Sequence, residues 1–153
     1  MAVTLDQNEI DDFLASGRTL IFTTLDRDGY PHSTPNWYVY MDGHLYLRTR
    51  QKSQKARNVS RDSRVSALVE SGELWRELKA VMVRGRTEAV TDEEERARFE
   101  KALQVKYEAF RENRQQMTPR MQQHYAQSTV YFKIVPEKKL ATWDNRKVRL
   151  ADG

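Results

Sequence analysis

The chain has 153 residues, 39% hydrophobic and 31% charged, which suits one globular domain, 1–153, with a real core. It has no cysteine, which excludes disulfides and thiolate metal sites, and no apolar run of the roughly 18 residues that a membrane span needs. The acidic start MAVTLDQNEIDDFLASG lacks the basic-then-apolar pattern of a secretory signal, so a cytoplasmic protein is expected.

Asp6 to Ser16 reads as a short helix with Ile10, Phe13 and Leu14 on one apolar stripe and Gly17 as its stop. RTLIFTTLDRDGYPHSTPNWYVYMDGHLYLRTR is strand material interrupted only by Asp28-Gly29 and Asp42-Gly43. Asp-Gly pairs favour type I′ hairpin turns, so strands at about 18–25, 30–41 and 44–50 are expected to form an antiparallel meander. The second strand is apolar or aromatic on both faces, Trp37 and Val39 one way, Tyr38 and Tyr40 the other, as in a barrel wall covered from outside.

Ser53 to Arg61 is a short helix with Ser53 as N-cap and Ala56 and Val59 facing inward. Arg64–Glu70 is a fourth strand, and Leu78–Val90 a fifth, bent at Gly85. The connection SGELWRE between them carries an exposed Trp75. Thr91 opens a helix with acids in its first turn and Phe99, Ala102, Leu103 and Phe110 on its buried face. A further helix starts near Thr118-Pro119 and runs to about Gln127, followed by strands at Thr129–Val135 and Lys139–Trp143. Six or seven antiparallel strands with three or four helices predict an α+β fold on a small antiparallel barrel.

The pI is about 9.4, but the net charge of +4 is unevenly placed. Between Arg48 and Arg64 seven basic residues meet one acid, Asp62, so this segment is +6 and the remainder sums to −2. That asymmetry fits a local anion site better than a basic face tracking nucleic acid. Aromatic residues are not interleaved with the charges as a base-stacking platform requires.

No GxGxxG, GxxxxGK[ST], GxSxG or HExxH motif occurs, and His32, His44 and His124 lack metal-ligand spacing. No carboxylate pair stands out as acid and base. The positive signal is LYLRTRQKSQKARNVSRDSR, residues 45–64. Strand alternation puts Leu45, Leu47 and Thr49 on one face and Tyr46, Arg48 and Arg50 on the other. The chain then enters a helix at Lys52-Ser53-Gln54-Lys55, and a helix N-terminus ringed by cations suits a phosphate. A solvated basic face is the alternative, and charge alone does not separate the two. Pro35, which cannot donate to a ladder, marks a bulge or an edge, while Trp37 taken by itself reads as core.

The order GYPHSTPNWYVYMDGHLYLRT, then KSQKARNVSRDSRVSALVE, then VMVRGRTEAV resembles the pyridoxamine 5′-phosphate oxidase-like split β-barrel superfamily. More narrowly it resembles the flavin/deazaflavin oxidoreductases that use coenzyme F-420. The resemblance covers about Leu20 to Val90 and, weakly, KKLATWDNRKV. It implies a homodimer with a cofactor in a groove between subunits, and a cofactor that carries the hydride chemistry without a catalytic side chain. The charge placement and the lack of a long apolar run lead us to expect no nucleic acid and no membrane partner.

By position it implies that Ser53, Gln54 and Lys55 bind the cofactor phosphate, helped by Arg48, Thr49 and Arg50. Pro35, Asn36 and Trp37 would lie along the ring, and Trp143 and Arg146 would reach the partner's cofactor. Lys52, Arg57 and Arg61, beyond the phosphate, would attract the glutamate tail of F-420, which favours F-420 over FMN. Lys55 is expected to face solvent. The implied activity is hydride transfer between F-420 and a small organic acceptor. The alternatives are an FMN-dependent enzyme or a non-catalytic flavin or heme/tetrapyrrole binder. The substrate side is expected from the 71–79 connection and the helices at 92–127.

Overall fold

A computed structural model describes residues 3–125 and 128–148. The elements in chain order are α1 (Gln7–Ser16), β1 (Leu20–Leu25), β2 (Pro31–Asn36), β3 (Val39–Met41), β4 (His44–Arg50), α2 (Gln54–Arg61) and β5 (Arg64–Ser71). They continue with β6 (Lys79–Ala89), α3 (Glu93–Tyr107), α4 (Pro119–Tyr125), β7 (Thr129–Pro136) and β8 (Ala141–Asp144). The predicted end of α4 near Gln127 lies outside the described residues.

Local chemistry explains most boundaries. Asp6 caps α1 through Glu9 N–H while the Glu9 carboxylate takes Asp6 N–H, a reciprocal capping box. Asp92, rather than Thr91, caps α3 by accepting from Glu95 N–H. At the β3–β4 turn both Asp42 (φ 54°) and Gly43 (φ 75°) are left-handed, as type I′ requires. The β1–β2 turn departs from that expectation: only Gly29 is left-handed there. Residues 26–30 instead form a longer loop around the Asp26 carboxylate, which accepts from the amides of Asp28 and Tyr30.

The described strands form one eight-stranded antiparallel sheet with the path β2-β1-β5-β6-β7-β4-β3, and β8 pairs with β6 off that path. This corrects the predicted meander. The strand expected over 30–41 is broken at Trp37-Tyr38, and its halves lie at opposite ends of the path. Asn36 and Val39 are nonetheless three residue steps apart, a reach of roughly 10 Å, so the sheet must curl until its ends nearly meet. The result is a split barrel.

The break has a physical cause in α3. Tyr38 N–H donates to Tyr107 Oη (3.2 Å), and Tyr38 C=O accepts from Lys106 Nζ (3.1 Å). Backbone groups that would extend a ladder are thus satisfied by side chains of a helix. Pro35 lies on β2, an edge strand, so of the two alternatives its missing donor marks an edge.

The barrel interior holds Leu20, Phe22, Leu45, Leu47, Val69, Val81 and Ile134, with Ile10 and Leu14 of α1 packed into the same cluster. A second cluster packs Phe99, Leu103 and Tyr107 of α3 against Val39 and Tyr46 outside the barrel. Phe110, predicted on that buried face, lies beyond the helix and is 45% exposed; the four-residue spacing from Phe99 and Leu103 selects Tyr107 instead. Gly85 marks where the second edge of β6 changes partner from β8 to β7, and a Cβ there would strike the Val135 carbonyl.

Candidate cofactor site

The site grows from the β4–α2 junction. Leu45 and Leu47 fill the barrel, while Tyr46 packs outward against α3 and Arg48 meets the same helix, as the alternation predicts. Ser53 Oγ accepts from Ala56 N–H (3.2 Å) to cap α2 and lies 3.1 Å from Thr49 Oγ1. Asn58, fully buried, donates to Thr24 Oγ1 (2.9 Å) and so pins α2 to β1. Its oxygen accepts from Gln54 (2.8 Å) and Arg61 (3.1 Å). The start of α2 is therefore held in place by a satisfied buried amide.

The basic run divides into distinct environments. Arg48 Nη1 donates to Glu100 Oε1 of α3 (2.6 Å), an oxygen that also accepts from Tyr131 Oη (2.8 Å). Lys55 Nζ donates to Asn36 Oδ1 (2.5 Å) and reaches Thr34 Oγ1 (3.5 Å), linking α2 to β2. Lys55 is thus half-buried, which corrects the expectation that it faces solvent. Burial first, and the Arg50 charge second, lower its pKa. Arg50 lies 3.2 Å from His124 Nδ1 of α4. Arg57 donates to Gln54 Oε1, and Lys52 is exposed. Arg61, expected to meet an anionic tail, donates to the Leu25 carbonyl (3.1 Å) and serves the α2–β1 contact.

A cleft of about 810 Å³ opens at this junction, within the ordinary range for a small-molecule site. Pro35, Asn36, Trp37, Arg48 and Lys55 line it, so five of the ten predicted residues come together. Thr49, Arg50, Lys52, Ser53 and Gln54 are not on its wall; Thr49, Ser53 and Gln54 hold the junction behind it. Trp37 is not core: it is 39% exposed, and one ring face lies on Tyr107 with centroids 4.4 Å apart and planes 10° from parallel.

The far wall was not foreseen residue by residue. Phe110, Arg111, Glu112 and Met117, on the connection from α3 to α4, complete the cleft. The 71–79 connection is elsewhere in the chain, where Trp75 and Glu77 join Arg146 around a separate pocket. Trp143 lies on β8, paired with Ala80. A flat apolar and aromatic edge at Pro35–Trp37 beside the cations Arg48 and Lys55 is a donor set suited to a planar ring carrying a phosphate.

A curled antiparallel barrel with this strand path has the split-barrel fold. The family model for pyridoxamine 5′-phosphate oxidase matches residues 7–142, and the chain belongs to that family. It is similar to a conserved hypothetical protein of Mycobacterium tuberculosis, 33% identical, with a TM-score of 0.79 over 100% of this chain and 96% of that one. A FAD-binding protein of Mesorhizobium loti is 24% identical, with a TM-score of 0.69 over 91% of this chain and 94% of the other. An F-420 reductase shares the fold at 20% identity and a TM-score of 0.64, over 86% and 94% of the two chains. No curated protein matches the chain.

Proposed function

We propose that the protein is an oxidoreductase that holds the deazaflavin F-420 in this cleft and reduces a small organic acceptor in the cytoplasm. The observation that carries the reading is the meeting of Pro35, Asn36, Trp37, Arg48 and Lys55 around one cleft. Lys55 and Arg48 would hold the cofactor phosphate, and Pro35, Asn36 and Trp37 would border the ring. Ser53, Gln54 and Thr49 would act from behind, by fixing the first turn of α2, whose amides and dipole favour an anion. Arg50 and Lys52 would add charge near the rim. Reduced F-420, when bound, would supply hydride transfer, two electrons with one proton, and the proton that the cofactor releases balances the second proton the acceptor takes from solvent. This chain's residues would bind and orient.

A homodimer is part of the same reading. Pro35, Ile21, Leu68 and Met82 stand in register across β2, β1, β5 and β6 on the outer barrel face, an apolar row that a second copy would cover. Trp143 and Arg146 would then approach the partner's cleft.

FMN is the second reading, and one contact favours it. Of the three cations expected at a glutamate tail, Arg61 is engaged with the Leu25 carbonyl, which leaves Lys52 and Arg57 of that set. Fluorescence titration of the purified protein with F-420 and with FMN separates the two. Tight F-420 binding with negligible FMN binding supports the proposal. The reverse gives the FMN enzyme, and binding of neither, with bound heme instead, gives the non-catalytic alternative.

A further inference from the structure

The cleft has two chemically different walls. On the β4–α2 side Arg48 is neutralised by Glu100 and Lys55 is anchored to Asn36. On the α3–α4 connection Arg111 is exposed and forms no ion pair among the described residues. Its guanidinium stands 5.8 Å from the centroid of the Trp37 ring, whose other face is taken by Tyr107. A ring sandwiched between two planes needs about 7 Å in all, twice the contact distance of carbon atoms, so Arg111 must shift outward when a flat molecule enters. With the cofactor ring on Trp37, it would stand over the exposed side of that ring, where an acceptor approaches.

The flanking residues fix the rest of the chemistry. Phe110 and Met117 offer apolar surface, and Phe110 is steadied by Arg18, whose guanidinium carbon is 4.2 Å from its ring centroid. Glu112, on the same wall, disfavours a second negative charge.

We propose that Arg111 is the specificity-determining residue of this cleft and that the acceptor is a planar conjugated monocarboxylate. The proposal rests on the cofactor reading above. A guanidinium presents paired N–H groups that match a carboxylate and a flat face that stacks on a conjugated body. A neutral acceptor of the same shape would gain the stacking without the ion pair.

The test uses the F-420-loaded protein, or the FMN-loaded protein if only FMN binds. Affinity is measured by calorimetry for cinnamate and for its neutral isostere cinnamamide. Wild type is expected to prefer cinnamate by about tenfold. Arg111→Met is expected to lose that preference and Arg111→Lys to regain part of it. Cofactor affinity is measured in parallel for each variant, because Arg111 lines the same cleft. Equal binding of the two probes by wild type, or an unchanged preference in Arg111→Met, overturns the proposal and leaves the cofactor reading standing. A large loss of cofactor affinity in Arg111→Met assigns the residue to the cofactor and also overturns it. Failure of wild type to bind either cofactor removes the functional reading and this proposal with it.

Discussion

Trp37 lies flat on Tyr107, with ring centroids 4.4 Å apart, and the same tyrosine hydroxyl accepts the N–H of Tyr38. One residue of α3 therefore does two jobs: it breaks the strand after Asn36 and it props the aromatic edge of the cleft. Tyr107 Oη donates in turn to the Arg18 carbonyl (2.6 Å), so the prop is fixed from below. Trp37→Ala is expected to weaken cofactor binding about tenfold, the equivalent of roughly 1.4 kcal/mol of lost ring contact. Trp37→Phe should recover most of it. Cofactor titration of both variants is the check, with an unchanged affinity in Trp37→Ala contradicting the placement of the ring.

Lys106 gives a pH signature to the same strand break. Burial lowers its pKa to about 8 from the ordinary lysine value of 10.5. Between those values the unfolded chain binds the proton and the folded chain releases it, so stability rises with pH. The residue is only part-buried, so solvent screening limits the gain to roughly 1–2 kcal/mol. Chemical denaturation of wild type and Lys106→Met from pH 7.5 to 10 should show an excess rise in the wild type, lost in the variant. Parallel curves would mean that the ammonium is fully solvated.

Asn58 is buried without exposure, and its amide joins Thr24, Gln54 and Arg61. Asn58→Ala leaves those groups without their partner and creates a small cavity. A loss of about 2–4 kcal/mol in unfolding free energy is expected, visible as a reduced denaturation midpoint. Asn58→Asp should also destabilise, since the Thr24 hydroxyl would lose the amide donor.

The parts of the fold that follow local rules were legible. Alternation along β4 placed Arg48 outward, Asp42-Gly43 announced a type I′ turn, and Ser53 announced the cap of α2. The split between β2 and β3 was not, because Tyr38 is bonded by Tyr107 and Lys106, some seventy residues away in the chain. Pro35 signals an edge, but nothing local in the run at 30–41 signals that competition. Lys55 looked solvent-facing for the same reason: its partners, Asn36 and Thr34, belong to β2. Arg57 and Arg61 look alike in sequence, yet Arg61 alone reaches the Leu25 carbonyl, a contact set by how α2 crosses the end of β1. The far wall at Phe110–Met117 follows a helix whose last buried residue, Tyr107, is found only by a strict four-residue spacing from Phe99 and Leu103.

Lys55 and Arg48 are proposed to receive the phosphate of a bound cofactor, and the F-420 dissociation constant of wild type against Lys55→Met, with circular dichroism to confirm equal folding, tests this. Loss of a charge-assisted hydrogen bond of roughly 1.5–3 kcal/mol predicts a weakening of about 10- to 150-fold. An Arg48→Met variant should weaken binding less, because Glu100 already offsets that charge. If the Lys55→Met variant binds F-420 as tightly as wild type, the phosphate is elsewhere and the account of the cleft fails.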